Sequence, residues 1–202
     1  MSEQNNFGFM SREYNTARRG YPHEVFKYLK SLVKKDKAVA LDTGCGTGIS
    51  TRQLKQYGFA VIGVDKDSAM IEVATKQTHD ISYVIAPANK LPFEANKFDL
   101  IMAFTAFHWF NNEESLSEIK RVAKEGGLFF AALKTNRQDE NKKFKNGYIS
   151  ILKKYAGDSF DTTKDHFNKE FLKKVGFSYI AEKSFDVDEK YTVEEALILL
   201  KS

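Results

Sequence analysis

The sequence predicts an α/β domain in which helices cover both faces of a mostly parallel β-sheet, giving a three-layer sandwich. Apolar runs of strand length alternate with segments of helical periodicity from about residue 22 onwards. Strands that alternate with helices are joined by right-handed crossovers, which makes neighbouring strands parallel. The 202 residues, 42% hydrophobic and 29% charged, suit one such domain with a sizeable core. We therefore treat 1–202 as a single domain.

Five short apolar runs, bounded by charged residues or glycine, have the length and composition of buried strands. They cover residues 38–41, 59–64, 81–85, 100–105 and 128–133. Because consecutive runs are separated by segments long enough for a crossover, each is expected to lie in the same sheet.

Helices are predicted before the first strand and in the connections that follow. The first begins near Pro22, which suits the first turn of a helix, and its apolar side chains share one face. A helix after the second strand is capped by Asp67 or Ser68. The helix after the fourth strand is capped by Asn111, with Glu114 three residues on as in a capping box.

The C-terminal third of the chain has weaker patterns. Residues 135–175 are rich in lysine and carry two aromatic stripes at helical spacing, which predicts a helical cover after the fifth strand. Residues 178–185 have the pattern of a sixth strand, and a last helix is expected to begin near Thr192.

Composition excludes several classes of function. No run of 18 or more apolar residues is present, which predicts no membrane span, and the first ten residues do not resemble a signal peptide. Cys45 is the single cysteine, so no internal disulfide can form; this fits a reducing compartment, and we expect a cytoplasmic protein. The net charge of +4 comes from dispersed lysines without an arginine-rich patch, so no nucleic-acid partner is expected.

The sharpest motif is the segment 39–48, in which an apolar strand leads through three alternating glycines into a helix. Gly44, Gly46 and Gly48 allow left-handed backbone and a close approach of the main chain to a ligand. The helix that follows presents free N–H groups at its first turn. In a doubly wound sheet this first turn lies where ligands bind.

Asp65 closes the second strand, 21 residues after Gly44. An acid at about this offset accepts the two ribose hydroxyls of an adenosine ligand in related sheets. The alternative is a tight turn and a helix-capping aspartate, neither of which needs a ligand. The loop, the strand before it, the helix after it and the spaced acid together favour the adenosine ligand.

The residues around the loop distinguish between adenosine cofactors. A dinucleotide site requires a third glycine, but Ile49 and Thr51 occupy the two positions where it would fall. Asp42 also places a carboxylate beside the loop, where a pyrophosphate would be repelled. A carboxylate there suits a cation, such as the ammonium group of a methionine moiety.

These segments resemble the class I S-adenosylmethionine-dependent methyltransferases, which have a Rossmann-like fold. The chain is similar in particular to the type 11 small-molecule group, which includes trans-aconitate methyltransferase-like proteins. The resemblance is carried by residues 14–22, 41–48, 86–93 and 98–110. It implies that S-adenosylmethionine is the cofactor and that the acceptor of the methyl group is a small molecule.

The resemblance also implies roles for individual residues. The backbones of Gly44, Gly46 and Gly48 would line the methionine and ribose portions. The resemblance implies four further contacts with the cofactor. In order from its methionine end to its adenine end, they are Asp42, Asp65, Ala88 and Asn89. A lid formed by residues 1–21 would close over the cofactor through Tyr14 and Arg18.

The chain departs from the family pattern at two places. Pro87 stands where members often carry an aspartate, so the adenine amino group would rely on backbone or on Asn89. Family sheets usually have a seventh strand, but residues for it are lacking before Ser202. The fifth strand would then have an unpaired edge, which predicts a displaced sixth strand or edge-to-edge homo-association.

His108, which follows the fourth strand, is the candidate general base because the unperturbed pKa of a histidine side chain falls in the useful range. Phe107 and Trp109 would wall the pocket of the cationic methyl donor. The alternative is that residues 107–110 form a packed aromatic turn.

Cations near the same mouth would favour an anionic acceptor such as a carboxylic acid, unless they are scattered surface charges. They are Arg18, Arg19, Lys134 and Arg137.

Other chemistries lack their motifs. The turn after the fourth strand has no Asn/Asp-Pro-Pro-aromatic pattern and no cysteine nucleophile, which argues against nucleic-acid methylation. No cluster has metal-ligand spacing, so no metal is expected. Two alternatives to a methyltransferase remain open: a non-catalytic or truncated S-adenosylmethionine-binding protein, and an NAD-dependent oxidoreductase.

Overall fold

The computed structural model describes residues 19–132, 169–178, 181 and 183–185. The described part holds one five-stranded parallel sheet in the order β3-β2-β1-β4-β5. The strands are β1 Val39–Thr43, β2 Ala60–Asp65, β3 Ser82–Ile85, β4 Phe98–Phe104 and β5 Ala123–Ala132. The helices are α1 His23–Leu32, α2 Ile49–Gln56, α3 Ser68–Gln77, α4 Glu113–Val122 and α5 Lys169–Lys174, with a short 3₁₀ turn at Phe107–Trp109.

The strands divide the core into two layers, because successive side chains of a strand point to opposite faces. Leu100 and Met102 of β4 belong to a buried cluster with α1 and α2. Ile101 and Ala103 belong to a second cluster with α4 and α5. The predicted three-layer α/β sandwich is confirmed, and its centre is β4, whose residues are nearly all buried.

The start of β5 differs from the prediction. The strand was expected to begin at residue 128, but α4 ends at Val122 and Ala123 already pairs with Phe98. The register then shifts between Phe98 and Leu100, and Gly126 adopts a left-handed φ of 71°. The glycines therefore form an irregularity within the strand, as in a β-bulge.

Two of the predicted helix caps can be compared with the structure. Asp67 caps α3, since its Oδ1 accepts the N–H groups of Ala69 and Met70. The cap of α4 is Asn112, whose Oδ1 accepts the N–H of Ser115 at 2.9 Å. The predicted cap at Asn111 is therefore wrong by one residue, since adjacent asparagines offer the same cap chemistry and packing selects between them.

The chain entering α1 is held against α2 by the side chain of Gln53. The Gln53 Oε1 accepts the N–H of Tyr21 at 2.8 Å, and its Nε2 donates to the carbonyl oxygen of Tyr21 at 2.9 Å. A Cβ at Gly20 would lie 2.6 Å from the same amide. This clamp brings the chain entering α1 to the carboxyl ends of the strands.

Several expectations fall outside the described residues. They include Tyr14 and Arg18 of the predicted lid, Lys134, Arg137, most of the predicted helical cover and the helix near Thr192. Of the segment 178–185, none of the described residues lies in a strand. Within the part of the chain that the structure describes, no helix is long and apolar enough to cross a bilayer.

Candidate active site

The candidate site lies where the chain changes direction within the sheet. Strands β2 and β3 lie on one side of β1, whereas β4 and β5 lie on its other side. In an open parallel sheet, the loops leaving two such neighbouring strands diverge and leave a crevice at their carboxyl ends. The loop after β1 and the turn after β4 border this crevice.

The loop after β1 is held in one conformation by backbone hydrogen bonds. The N–H groups of Gly44 and Cys45 donate to the carbonyl oxygen of Val64 at 2.8 and 3.0 Å. The N–H of Gly48 donates to the carbonyl oxygen of Cys45 at 2.9 Å. The three glycines 44, 46 and 48 have φ values of 70°, 53° and 78°, a region that favours glycine.

The surroundings of the three glycines are different. A Cβ at Gly44 would lie 2.6 Å from the Cβ of Ala106, and one at Gly48 would lie 2.5 Å from the hydroxyl of Tyr83. A Cβ at Gly46 would meet nothing within 4 Å. Packing therefore accounts for the first and third glycines, whereas the middle glycine borders open space.

Asp65 faces this middle glycine. Its Oδ2 accepts the N–H of Gly46 at 2.9 Å, and its Oδ1 accepts the N–H of Asp67 at 2.9 Å. Burial raises the pKa of Asp65, while these two hydrogen bonds oppose the shift. Because a carboxylate oxygen has more than one acceptor site, both oxygens retain the capacity to accept a hydroxyl.

Asp42 is fully buried at the end of β1. Its Oδ2 accepts the hydroxyls of Ser50 at 2.6 Å and Thr51 at 2.7 Å, whereas its Oδ1 has no hydrogen-bond partner among the described residues. Burial raises the pKa of Asp42 to about 6, and the two hydroxyls oppose the shift. A buried acceptor without a partner is costly, so this oxygen is suited to a donor from a ligand.

The turn after β4 forms the opposite border of the crevice. Thr105 has a left-handed φ of 51°; its N–H donates to the carbonyl of Ala132 at 2.7 Å, and its hydroxyl lies 2.9 Å from that of Tyr21. The side chain of His108 is exposed, and its ring centroid lies 4.8 Å from that of the exposed Trp109.

Phe107, in contrast, is buried with an exposed fraction of 2% and packs edge-on against Phe110 and Phe129. The expectation that Phe107 walls the pocket is not met, because its ring fills the core beneath the turn. His108 and Trp109 remain the candidates for contact with an acceptor.

The residues expected near the adenine follow β3. The N–H of Ala86 donates to the carbonyl oxygen of Asp65 at 3.0 Å, which brings this segment beside the acid. Ala88 is half-buried, whereas Asn89 is exposed and its Nδ2 lies 3.3 Å from the Oε2 of Glu114. The amide of Asn89 thus contacts α4 in this structure.

Sequence reasoning missed Ser50, Thr51 and Tyr83 as neighbours of the loop. Hydroxyl side chains eight and nine residues after Asp42, at the start of a helix, were a usable signal for the first two. The contact of Tyr83 with the loop depends on the pairing of β3 with β2, and no local pattern predicts it. Among the described residues, no group of three metal-ligating side chains is present.

Comparisons with known proteins identify the family. A model described as a methyltransferase domain matches residues 41–131. An uncharacterized methyltransferase of Schizosaccharomyces pombe is 28% identical over 194 residues, covering 94% of this chain and 75% of the relative. A demethylmenaquinone methyltransferase of Staphylococcus saprophyticus is 32% identical over 184 residues, covering 79% of this chain and 78% of the relative. The chain belongs to the class I S-adenosylmethionine-dependent methyltransferases.

Solved structures agree with the fold of this methyltransferase. A Methanococcus maripaludis protein assigned to the S-adenosyl-L-methionine-dependent methyltransferases superposes with a TM-score of 0.61 at 20% identity, covering 89% of this chain and 90% of the other. An Anaeromyxobacter dehalogenans protein gives 0.64 at 25% identity, covering 83% and 69%. Membership of the methyltransferase family, which the sequence relatives show, excludes the NAD-dependent oxidoreductase considered from the sequence, and S-adenosylmethionine is the cofactor of this methyltransferase.

The residues at the crevice fit this cofactor. The unpartnered Oδ1 of Asp42 offers an acceptor for an ammonium group, and Asp65 retains acceptor capacity for a vicinal diol. The open side of Gly46 leaves the backbone between them accessible. When bound, S-adenosylmethionine supplies a methyl group on a sulfonium that is already reactive, so the protein has to bind, orient and exclude water.

Proposed function

We propose that this methyltransferase acts on a small-molecule acceptor, as in the type 11 group that includes trans-aconitate methyltransferase-like proteins. The observation that carries the cofactor site is the space over Gly46, bordered by the carboxylate of Asp65. The reaction is an in-line displacement in which the acceptor's nucleophilic atom forms a bond to the methyl carbon while the carbon–sulfur bond breaks.

In this proposal Asp42 accepts a hydrogen bond from the ammonium group of the cofactor, directly or through a water molecule. Asp65 accepts the ribose hydroxyls, and the segment of Ala88 and Asn89 borders the adenine. Tyr14 and Arg18 close the site from the N-terminal side. Holding two reactants in line contributes roughly 7–11 kcal/mol toward the barrier in well-oriented systems, so positioning is the main task of these residues.

When the acceptor is a hydroxyl or an amine, His108 takes the proton that it loses as its atom attacks; a carboxylic acid is already ionised near neutral pH and attacks without a base. The position favours this role, because the exposed imidazole follows β4 at the carboxyl edge of the sheet. We propose a carboxylic acid as the acceptor class, attracted by Arg18, Arg19, Lys134 and Arg137. A quinol-type acceptor is the second candidate, since one relative is a demethylmenaquinone methyltransferase.

We further propose that the protein acts in the cytoplasm, without a nucleic-acid partner, and that copies associate through the edge of β5. In the described part of the chain β5 has a neighbour on one side only. An exposed strand edge is a template for pairing with a second copy.

The cofactor site is tested by adding one methyl group at position 46. We expect Gly46→Ala to weaken S-adenosylhomocysteine binding at least about tenfold, because the new methyl enters the space in which the cofactor lies close to the backbone. Isothermal titration calorimetry measures the dissociation constant, and NAD titrated under the same conditions is expected to give no binding heat.

Gly58→Ala is the matched control for this variant. Gly58 also has a left-handed φ, 83°, and a Cβ there also meets nothing within 4 Å, but the residue ends α2 away from the crevice. Both variants should lose similar stability, whereas the affinity loss should occur at position 46 alone. Equal affinities in the two variants would place the cofactor elsewhere.

The role of His108 is tested by substitution with asparagine. We expect His108→Asn to lower kcat about 10²-fold or more with any acceptor that must lose a proton, since general-base catalysis contributes about that much. The dissociation constant for S-adenosylhomocysteine should stay within about twofold. His79→Asn, which changes an exposed histidine between α3 and β3, serves as the control. An unchanged kcat would support the packed aromatic turn instead.

The acceptor itself is found by a labelled-methyl screen over small acids, amines, phenols and quinols. Transfer to a carboxylic acid that weakens as salt rises supports the anionic acceptor. Transfer to nucleic acid would contradict the proposal, and cofactor binding without any turnover would favour a non-catalytic cofactor-binding role.

A further inference from the structure

We propose that Ser50 and Thr51 are positioning residues, whose hydroxyls hold one oxygen of Asp42 so that its other oxygen is available to the ammonium group of the cofactor. This inference rests on the proposed cofactor role of Asp42 and deepens it. The two hydroxyls themselves need not touch the cofactor.

The geometry around Asp42 is asymmetric. Both hydroxyls donate to the same oxygen, Oδ2, at 2.6 and 2.7 Å, which is the short end of ordinary O–H···O distances. The other oxygen, Oδ1, is buried and has no partner among the described residues. Two donors on one oxygen fix the rotation of the carboxyl group, so the direction of the free oxygen is set before any ligand arrives.

Burial makes these bonds sensitive to substitution. Asp42 and Thr51 are fully buried, and Ser50 is 5% exposed, so water does not readily replace a missing hydroxyl. Hydrogen bonds to a charged partner contribute about 1.5–3 kcal/mol each, and a buried acceptor left without a donor costs additional free energy. Loss of both hydroxyls therefore disfavours the ionised form of the carboxyl group.

The surrounding groups do not compensate for that loss. Asp65 on β2 adds negative charge that raises the pKa of Asp42. Burial raises the pKa of the Cys45 thiol and raises the pKa of Tyr83 to about 12, so neither group carries charge near neutrality. Arg52, the cation on α2 in this region, donates to the carbonyl oxygen of Thr47 at 2.8 Å.

The sign of the pH dependence follows. The pKa of Asp42 is raised to about 6 by burial, and the hydroxyls of Ser50 and Thr51 keep it from rising further. A cationic ligand group prefers the ionised carboxylate, so affinity is present above this pKa and is lost as the pH falls through it. Without the hydroxyls, the same loss occurs at a higher pH.

The test is the dissociation constant of S-adenosylhomocysteine between pH 5 and pH 8.5, measured by calorimetry on the full chain. In the variant Ser50→Ala/Thr51→Val we expect the midpoint of the affinity loss to rise by about one pH unit or more. Affinity at pH 7 should fall about twofold if the midpoint rises by about one unit and about tenfold if it rises by about two, and it should approach the wild-type value at pH 8.5, a recovery that structural damage would not produce. Thr51→Ser keeps a hydroxyl at both positions, so this variant should retain most of the wild-type affinity at pH 7.

Thr43→Val is the matched control, because Thr43 is also buried beside Asp42 but its hydroxyl does not bond to that carboxyl. Its midpoint should match the wild type, which includes any titration of Asp65. A folded double variant with an unshifted midpoint would overturn the inference. If the double variant does not fold, the single variants Ser50→Ala and Thr51→Val are each expected to show part of the shift, and two unshifted single variants would overturn it equally.

Asp42→Asn separates this inference from the proposal beneath it. We expect the asparagine variant to bind more weakly at pH 8.5 and to lose the component of the pH dependence that moves in the double variant. If Asp42→Asn binds like the wild type at every pH, the cofactor role of Asp42 is wrong. If it weakens binding while the double variant shows no shift, only the positioning role fails.

Discussion

Gly44→Ala is expected to lower the free energy of unfolding by about 2–5 kcal/mol and to remove measurable cofactor binding. Two physical costs add at this position. The left-handed φ of 70° is unfavourable for alanine by roughly 1–2 kcal/mol. The new Cβ would also lie 2.6 Å from the Cβ of Ala106, so the loop after β1 and the turn after β4 must move apart.

Chemical denaturation followed by circular dichroism measures the stability of this variant, and calorimetry measures its affinity for S-adenosylhomocysteine. Gly58→Ala has the backbone cost without the collision, so its stability loss should be about 1–2 kcal/mol and its affinity unchanged. If the two variants were equally stable, the close approach of the loop to Ala106 would not be a real constraint on the fold.

Asp65→Ala is expected to weaken S-adenosylhomocysteine binding by about 10²–10⁴-fold. The proposed role of this carboxylate is to accept two ribose hydroxyls, and hydrogen bonds to a charged group contribute about 1.5–3 kcal/mol each, which converts to this range. The substitution also frees the N–H groups of Gly46 and Asp67, so the loop loses the acceptor that orients it.

The matched comparison is Asp80→Ala, which removes an exposed carboxylate paired with Lys55 at the start of β3. It should leave the affinity within about twofold, because the residue lies at the opposite end of the strand from the crevice. Asp65→Asn, which keeps one acceptor oxygen, should bind with intermediate affinity. Wild-type affinity in Asp65→Ala at unchanged stability would contradict the proposed ribose contact.

Much of the fold could be predicted from the sequence because it depends on local patterns. Each of the five apolar runs between residues 38 and 133 overlaps a strand of the sheet, since burial on both faces requires side chains without charge. The errors occur where neighbouring residues are chemically alike or where pairing is non-local. Asn111 and Asn112 offer the same cap, and the pairing of Ala123 with Phe98 extends β5 into a segment of helical composition.

The site could be predicted in part for the same reason. Asp42 and Asp65 end adjacent parallel strands, so their proximity follows from the strand order alone. The contact between Gly44 and Ala106, and the clamp of Gln53 on the backbone of Tyr21, join residues 62 and 32 positions apart, and no periodicity encodes such contacts. Phe107 was expected at the pocket wall, but an aromatic turn alone does not indicate which of its rings faces the core.

The proposed contacts with the methyl donor and with the methyl acceptor come from opposite borders of the crevice. The donor contacts are proposed for the segments that leave β1, β2 and β3, whereas His108, the proposed acceptor contact, follows β4. Exposed turns tolerate substitution better than buried strands. A substitution of an exposed side chain in the turn after β4 therefore changes the acceptor contacts and leaves the donor contacts in place.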